Sequence, residues 1–175
     1  VTIKGRPGHG ATPHLGIDPV VLAAQFILAL QTIVSRRTDP REAVVIHVGR
    51  IEGGNSRNSI AEKVVLELSL RAQGQDGLER LVAEVKETLN GLAQAGGVEA
   101  DRMPELERTA VSPPSVANDP QLSGRLASAF RGWLGSDSVK NCRPLLGSED
   151  FSRFGEVKPP VVLTLFFLGA AEPAL

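Results

Sequence analysis

The sequence has few cysteines, few histidines and almost no net charge. It contains one cysteine, Cys142, which excludes an internal disulfide framework and favours a reducing compartment, so a cytoplasmic location is expected. The formal net charge is -1, with acidic and basic residues interspersed, and no basic stripe suited to a phosphate backbone occurs. Nucleic acid is therefore not an expected partner.

Long hydrophobic runs are also missing. The strongest apolar run, VVLTLFFLG at 161–169, is far shorter than the roughly 20 residues that a transmembrane helix needs. It predicts a buried strand at 160–169, and no signal-peptide pattern occurs near the start, so no membrane partner is expected. The chain begins in a strand-like run, VTIKG, without a methionine, which suggests a segment of a longer protein.

Potential metal ligands and nucleophiles are sparse. His9 and His14 lie in the loop GRPGHGATPH at 5–14, five residues apart with a proline between them, and cannot share one helical face. His47 lies on a predicted strand without a histidine or cysteine two residues away. A Cys–His nucleophilic pair would need Cys142, which the pattern places in an ordinary strand as a small buried residue. A self-contained zinc site is therefore not expected.

The periodicity of the first two thirds predicts a ferredoxin-like α+β domain. Asp18 as cap and Pro19 in the first turn open a largely buried helix that ends near Arg36. AEKVVLELSLRA at 61–72 alternates as a strand with one face toward the core and one face toward solvent. A second helix follows and ends at Gly96-Gly97. To about residue 111 the order is strand, helix, strand, strand, helix and a weak last strand, with both helices on one sheet face.

The remaining third has a different character. SPPSVANDP at 112–120 breaks the periodicity, which predicts domains at 1–112 and 113–175. After it come a helix, a strand near 138–142, the motif GSEDFSRF and the apolar strand at 160–169. Two strands and one helix cannot close a core, so residues 113–175 are interpreted as an incomplete α/β portion.

Each candidate residue has a structural and a functional interpretation. The glycine-rich loop is either a surface turn or a place where small residues let His9 approach a ligand or partner. Arg71 ends a strand on the wet face, where arginines are often only solvated, and Asn58 follows a Gly-Gly break, where asparagine often forms a turn. In GSED, Ser148 is suited to cap a helix with the two following acids in its first turn.

Four motifs together carry a family resemblance. They are GRPGHGATPH with the following GIDPV, GGNSRNSIAEKVVLELSLRA, VANDP and GSEDFSRF. In this order and spacing the chain resembles the amidohydrolase branch of the zinc-type aminoacylase and carboxypeptidase superfamily. That branch includes hippurate hydrolases, N-acyl amino acid deacylases and indoleacetyl-amino acid hydrolases. The resemblance implies a two-domain subunit whose α/β catalytic domain is interrupted by a ferredoxin-like lid that also forms a homodimer.

The resemblance also implies roles for individual residues. His9 matches the lid histidine that enters the partner subunit's active site and stabilises the oxyanion. Asn58 and Arg71 match residues that bind the carboxylate of an N-acyl amino acid, although NSIA at 58–61 stands where the family has N-V-I-P. Gly147 and Ser148 would line the substrate cleft through their backbone, and the roles of the two following acids stay open.

The metal ligands of that family have no counterpart in this sequence, and neither does its water-activating glutamate. The resemblance therefore implies a divalent cation, zinc with manganese or cobalt as alternatives, in the full-length protein. None is expected to bind to this segment, which should be inactive alone. The alternative is a non-catalytic ferredoxin-like module for ligand binding or dimerisation.

Overall fold

The computed structural model describes residues 1–108, 113, 115–143, 145–147 and 149–169. The chain divides into two compact units, Val1–Ala110 and Val111–Leu175. Mixed helix and sheet make this an α+β protein, as the sequence predicts. The assignment of residues 113–175 to a catalytic domain stays a prediction.

Over residues 1–108, the first unit has five strands and two α-helices. The strands are β1 (Thr2–Lys4), β2 (Gly8–His9), β3 (Val44–Gly53), β4 (Ser59–Ile60) and β5 (Lys63–Ala72), and the helices are α1 (Pro19–Thr32) and α2 (Gly74–Ala95). A π-helical turn, Ile33–Arg37, extends α1 to the predicted end of that helix. The expected order of strand, helix, two strands and helix is therefore present.

The main sheet has the order β1-β5-β3, and both pairs are antiparallel. The predicted fourth strand, at 98–111, is largely wrong over residues 98–108, since Ala100–Arg102 forms a 3₁₀ turn and Glu105 alone of these residues pairs with β1, through one bridge to Thr2. Residues 109–111 of that prediction lie outside the described residues. Pro104 precedes Glu105 and has no backbone N–H to extend that ladder, which explains the short pairing. The single bridge lies at the edge where a ferredoxin-like fold has its fourth strand.

The hydrophobic core lies between the sheet and the two helices. One sheet face contributes Ile3, Ile46, Val64 and Leu66, and these contact the buried sides of α1 and α2. Asp18 caps α1 by accepting from the Val20 N–H at 2.9 Å, as predicted. The helices therefore cover one face of the sheet and leave the other free of both.

Helix α1 is apolar around most of its circumference. By length and composition, the span Pro19–Arg37 could cross a membrane. Its inner residues are nevertheless buried in the core against the sheet, namely Leu22, Ala23, Phe26, Leu30 and Ile33. That placement is the one expected of a core helix in a globular domain.

A β-bulge at Gly49 changes the pattern of β3. Residues up to Val48 pair in one register with β5, and from Arg50 onward the register shifts by one residue. Arg50 is opposite Glu67, and Ile51 is opposite the buried Leu66. In the sequence, REAVVIHVGRIEGGN at 41–55 alternates as a strand and predicts Val45, His47 and Ile51 on one face. The bulge makes this prediction wrong for Ile51, which lies on the opposite face from His47.

The sheet face that the helices do not cover is formed by β3 and β5 residues that lie opposite one another. Val45 pairs with Arg71, and His47 pairs with Ser69. Since alternate residues of a strand share a face, Glu67 and, after the bulge, Arg50 belong to this surface as well. We call it the open face.

The second unit has one long helix, α3 (Pro120–Leu134), capped by Asp119 through the Leu122 N–H at 2.7 Å. In the part of this unit that the structure describes, 3₁₀ turns follow at Ser136–Ser138 and Asp150–Glu156, and no strand forms. The strand predicted near 138–142 is therefore wrong, and Cys142 is exposed rather than buried.

The apolar run at 160–169 forms no ladder strand and is mostly exposed. The Asn118 side chain hydrogen-bonds the backbone N–H and C=O of Leu165, both at 2.8 Å, and the Asp119 N–H donates to the Leu163 carbonyl at 2.7 Å. Phe167 and Leu168 are 65% and 80% exposed. The prediction of a buried strand is wrong because the described residues of this unit provide no partner strand, and α3 contacts the run on one side only, where the rings of Phe130 and Phe166 lie 5.2 Å apart.

Candidate functional site

Residues 5–17, which we call the glycine loop, are closed by contacts with their own chain. Arg6 and Ile17 exchange two backbone hydrogen bonds, each 3.0 Å long. A Cβ at Gly16 would lie 2.9 Å from the Arg6 carbonyl oxygen, and one at Gly10 would lie 3.2 Å from the Asn58 carbonyl oxygen. Glycine at position 16 is therefore required for close packing of backbone on backbone, and glycine at position 10 favours it, whatever else the loop contacts.

This loop places His9 beside Asn58. Strands β2 and β4 form a two-stranded antiparallel sheet in which His9 is opposite Ser59. The Gly10 N–H donates to the Asn58 carbonyl at 2.8 Å, which extends this pairing by one residue. Two of the predicted site residues, distant in sequence, are thus neighbours on an exposed tip of the first unit.

The hydrogen bonding of His9 assigns its tautomer. The Ala11 N–H donates to His9 Nδ1 at 3.1 Å, so Nδ1 is an acceptor and the neutral ring carries its proton on Nε2. The side chain is exposed, and its backbone carbonyl accepts the Thr12 N–H at 2.9 Å. This hydrogen bond fixes the Nδ1 side of the His9 ring, and Nε2–H is the donor that the ring offers to a ligand.

Asn58 is oriented in a similar way. Ser56 Oγ donates to Asn58 Oδ1 at 2.6 Å, which occupies the acceptor end of the amide. The amide group Nδ2 is then the donor that this side chain offers to a ligand. Both residues of the tip can donate hydrogen bonds to an oxygen anion.

Arg71 lies at the other end of the sheet. It is half-buried on the open face, opposite Val45, near the end of β5. Lys63, at the end of β5 near β4, lies eight positions before Arg71, which corresponds to roughly 26 Å along the strand. A single copy of the first unit therefore does not bring Arg71 together with His9 and Asn58.

The GSED motif belongs to the second unit. Gly147 is exposed, and Ser148 lies outside the described residues. Glu149, rather than the serine, is the cap of the 3₁₀ turn, accepting the Phe151 N–H at 3.3 Å, and Asp150 is in its first turn. The motif therefore starts a helical turn, as the structural interpretation predicted, but the capping residue is Glu149.

The middle of the open face carries a charge cluster that the sequence pattern did not reveal. Arg50 donates to Glu67 at 2.8 Å and also pairs with Glu52, and the hydrogen bond to Glu67 raises the pKa of the Arg50 guanidinium. The bulge at Gly49 creates this contact by moving Arg50 onto the open face. Only knowledge of the bulge could have predicted it from the sequence.

His47 is a second residue whose setting was not anticipated. It is exposed on the open face, directly opposite Ser69 and diagonal to Arg71. A Cβ at Gly49 would lie 3.9 Å from His47 Cδ2 and 4.0 Å from its Nε2, so the imidazole extends over the bulge. The available signal was the alternation of residues 44–51, which predicts that His47 shares a face with Val45 but does not identify its neighbours on β5.

The described residues do not fit a metal centre. No three side chains of His, Cys, Asp or Glu lie together within those ranges. His9 points its Nδ1 toward the Ala11 N–H, and Cys142 is on the second unit. No chemistry that requires a metal can be assigned to these residues.

Comparison with curated proteins identifies several relatives. N-acetyldiaminopimelate deacetylase of Leuconostoc mesenteroides is 35% identical over 165 residues, covering 94% of this chain and 42% of that protein. IAA-amino acid hydrolase ILR1-like 2 of Arabidopsis thaliana is 36% identical and covers 90% and 35%, and hippurate hydrolase of Campylobacter jejuni is 32% identical and covers 90% and 40%. The chain thus spans about two fifths of the length of these relatives.

Solved structures of similar fold were also found. The crystal structure of a protein named as an aminohydrolase, from methicillin-resistant Staphylococcus aureus, matches with a TM-score of 0.74 and 30% identity, covering 89% of this chain and 39% of that one. Aminopeptidase PepT from Bacillus cereus, 21% identical with a TM-score of 0.66, shares the fold. A family model described as a peptidase dimerisation domain matches residues 1–96. The chain therefore belongs to the M20 family of peptidases and amidohydrolases, and its first unit carries the dimerisation domain of that family.

Proposed function

We propose that this chain is a segment of a metal-dependent amidohydrolase that removes the acyl group from an N-acyl amino acid. One observation carries the proposal: relatives at 32–36% identity are named for a deacetylase, an IAA-amino acid hydrolase and a hippurate hydrolase. All three names describe cleavage of an amide between an acyl group and an amino acid. The proposal includes a cytoplasmic location.

The roles of the lid residues follow from their donors. In amide hydrolysis, attack of water on the carbonyl carbon transfers negative charge to the carbonyl oxygen. His9 would donate Nε2–H to that oxygen, and a preorganised donor of this kind typically lowers the barrier by about 3–4 kcal/mol. The planar guanidinium of Arg71 suits a substrate carboxylate, and Asn58 Nδ2 adds a further donor.

The separation of His9 and Arg71 supports a site shared between two copies. β3 is an edge strand of ten residues, whereas the β1 edge is partly closed by the bridge to Glu105. If β3 pairs antiparallel with β3 of a second copy, the two-fold axis reverses the strand direction. The His9 end of one copy then lies beside the Arg71 end of the other, with the two β5 strands about 15 Å apart.

The metal would come from the rest of the full-length protein, since no three possible ligands lie together among the described residues. The family resemblance places the base that activates water there as well. Zinc is the proposed cation, with manganese and cobalt as alternatives. Gly147 and Ser148 would line the cleft through their backbone. The residues of this chain would bind and orient substrate and donate to the oxyanion.

Activity is tested on the purified full-length protein with hippurate, N-acetyldiaminopimelate and indole-3-acetyl-alanine. Release of the free amino acid from at least one of them is expected, with loss of turnover after chelation and recovery with zinc, manganese or cobalt. If neither these three substrates nor N-acetyl-L-glutamine is cleaved with any of these metals, the protein is not this amidohydrolase. The chain would then be the non-catalytic module for ligand binding or dimerisation.

The shared site is tested by mixing two inactive full-length variants, H9A and R71A. In a heterodimer with a shared site, one site has both substitutions and the other has neither. Random assortment makes half of the dimers mixed, so about a quarter of the wild-type activity should return. If His9 and Arg71 served one site from the same copy, mixing would restore nothing.

A further inference from the structure

We infer that His47, together with Ser69, selects the side chain of the amino acid whose carboxylate Arg71 binds. This inference rests on the proposed function, because it takes Arg71 as the carboxylate anchor. It concerns the part of the open face next to that anchor. The predicted preference is for an uncharged side chain that forms hydrogen bonds, such as that of glutamine.

Strand register places these groups together. Arg71 and Ser69 are alternate residues of β5, and His47 is directly opposite Ser69 on β3. The spacing along β5 is about 7 Å, and the diagonal from His47 to Arg71 is about 7–8 Å between backbones. These backbone distances place His47 and Ser69 on the part of the open face next to Arg71, with the His47 imidazole on the side of Gly49.

The two groups offer both kinds of hydrogen-bonding partner. The imidazole of His47 has one donor and one acceptor when neutral, and the Ser69 hydroxyl can act in either way. His47 is exposed and Ser69 is half-buried, so both are on the surface of the open face. Because Gly49 has no side chain, nothing at that position covers the imidazole, which lies over it.

The surrounding charges favour a neutral side chain. Next along the open face are Glu67 and Glu52, which share the guanidinium of Arg50. Two carboxylates and one cation leave this cluster with a charge of -1 at neutral pH, which opposes a second anionic group on the substrate. A neutral amide has no such penalty and can bond to His47 and Ser69.

The test uses the full-length protein and two substrates of similar length, N-acetyl-L-glutamine and N-acetyl-L-norleucine. We expect the H47L substitution to lower the ratio of kcat/KM for glutamine over norleucine by roughly 3- to 10-fold, the range of one neutral hydrogen bond. H47Q should keep most of the preference for glutamine, and S69A should also lower the ratio of kcat/KM for glutamine over norleucine. A general structural defect would lower both substrates together and leave the ratio unchanged.

The matched control is E52Q, which removes an exposed charge from the same strand and face, farther from Arg71. It should leave the ratio for these two neutral side chains as in the wild type. If R71A weakens both substrates but H47L leaves the ratio unchanged, the inference about His47 is wrong and the proposed function stands. If the wild-type protein cleaves no N-acyl amino acid, both are wrong.

Discussion

Replacing Gly5 by alanine should destabilise the first unit, because the added methyl group has no room. Gly5 is buried, and a Cβ there would lie 2.5 Å from Pro19 Cδ and 2.6 Å from the Ile17 carbonyl oxygen. Both neighbours are rigid, one a ring at the start of α1 and the other a backbone atom. Its φ is not among the positive values of this chain, so the conflict is steric rather than conformational.

The expected change in the free energy of unfolding is the balance of two opposing effects. Overpacking of this kind costs about 1–3 kcal/mol, and alanine recovers about 0.4–1 kcal/mol by restricting the unfolded chain. A shift of the Gly5 backbone would also disturb two hydrogen bonds, from its N–H to the Glu62 carbonyl at 2.7 Å and from Arg102 to its carbonyl at 2.8 Å. We expect G5A to lower the free energy of unfolding by about 2 kcal/mol.

The matched control is Gly91, which lies within α2 and where an added methyl group would have no neighbouring atom within 4 Å. There alanine has the better helix propensity, so G91A should raise the free energy of unfolding by about 0.5–1 kcal/mol. Amide hydrogen exchange in β5 measures this quantity for the first unit itself. If G5A lies within about 0.5 kcal/mol of the wild type, which is the scatter of neutral surface changes, the steric argument is refuted.

Three further substitutions test other contacts. Glu79 accepts a 2.6 Å hydrogen bond from Arg108, which lowers the pKa of its carboxyl group, so its stabilising effect is present above the ordinary pKa of 4.5 and is lost as the pH falls through the lowered value. E79Q should therefore flatten the acid side of a curve of stability against pH. F26A removes a fully buried ring and should lower the free energy of unfolding by about 3–5 kcal/mol in denaturant titrations. N118A removes both hydrogen bonds to the backbone of Leu165 and should speed amide exchange there, while equal exchange rates would show that these bonds do not hold the segment.

The sequence predicted best where local pattern and tertiary burial agree. β5 alternates without interruption, and its even-numbered residues Val64 and Leu66 are buried as expected. The cap at Asp18 and the end of α2 before Gly97, whose φ is +75°, follow from single-residue preferences. These features depend on neighbours in sequence, which the pattern contains.

Predictions failed where the structure depends on partners outside the local segment. An apolar run predicts a strand at 160–169 only if another strand is available to pair with it, and Pro104 shortened a ladder that its flanking residues favoured. For the candidate site, composition left His9 and Asn58 as turn residues. Their contact is a long-range backbone pairing, and it was the family resemblance, rather than spacing, that connected them.

The bulge means that Gly49 is a residue of β3 without an opposite residue on β5. Leu68 and Glu67 are consecutive on β5, whereas their partners Val48 and Arg50 have Gly49 between them. Loss of Gly49 would therefore leave an unbroken alternation in which Val48 and Arg50 keep their present partners, at the expense of the local twist that a bulge adds. Insertion of a second residue there would instead require a wider irregularity. Among related proteins, this point of the strand should therefore tolerate shortening by one residue better than lengthening.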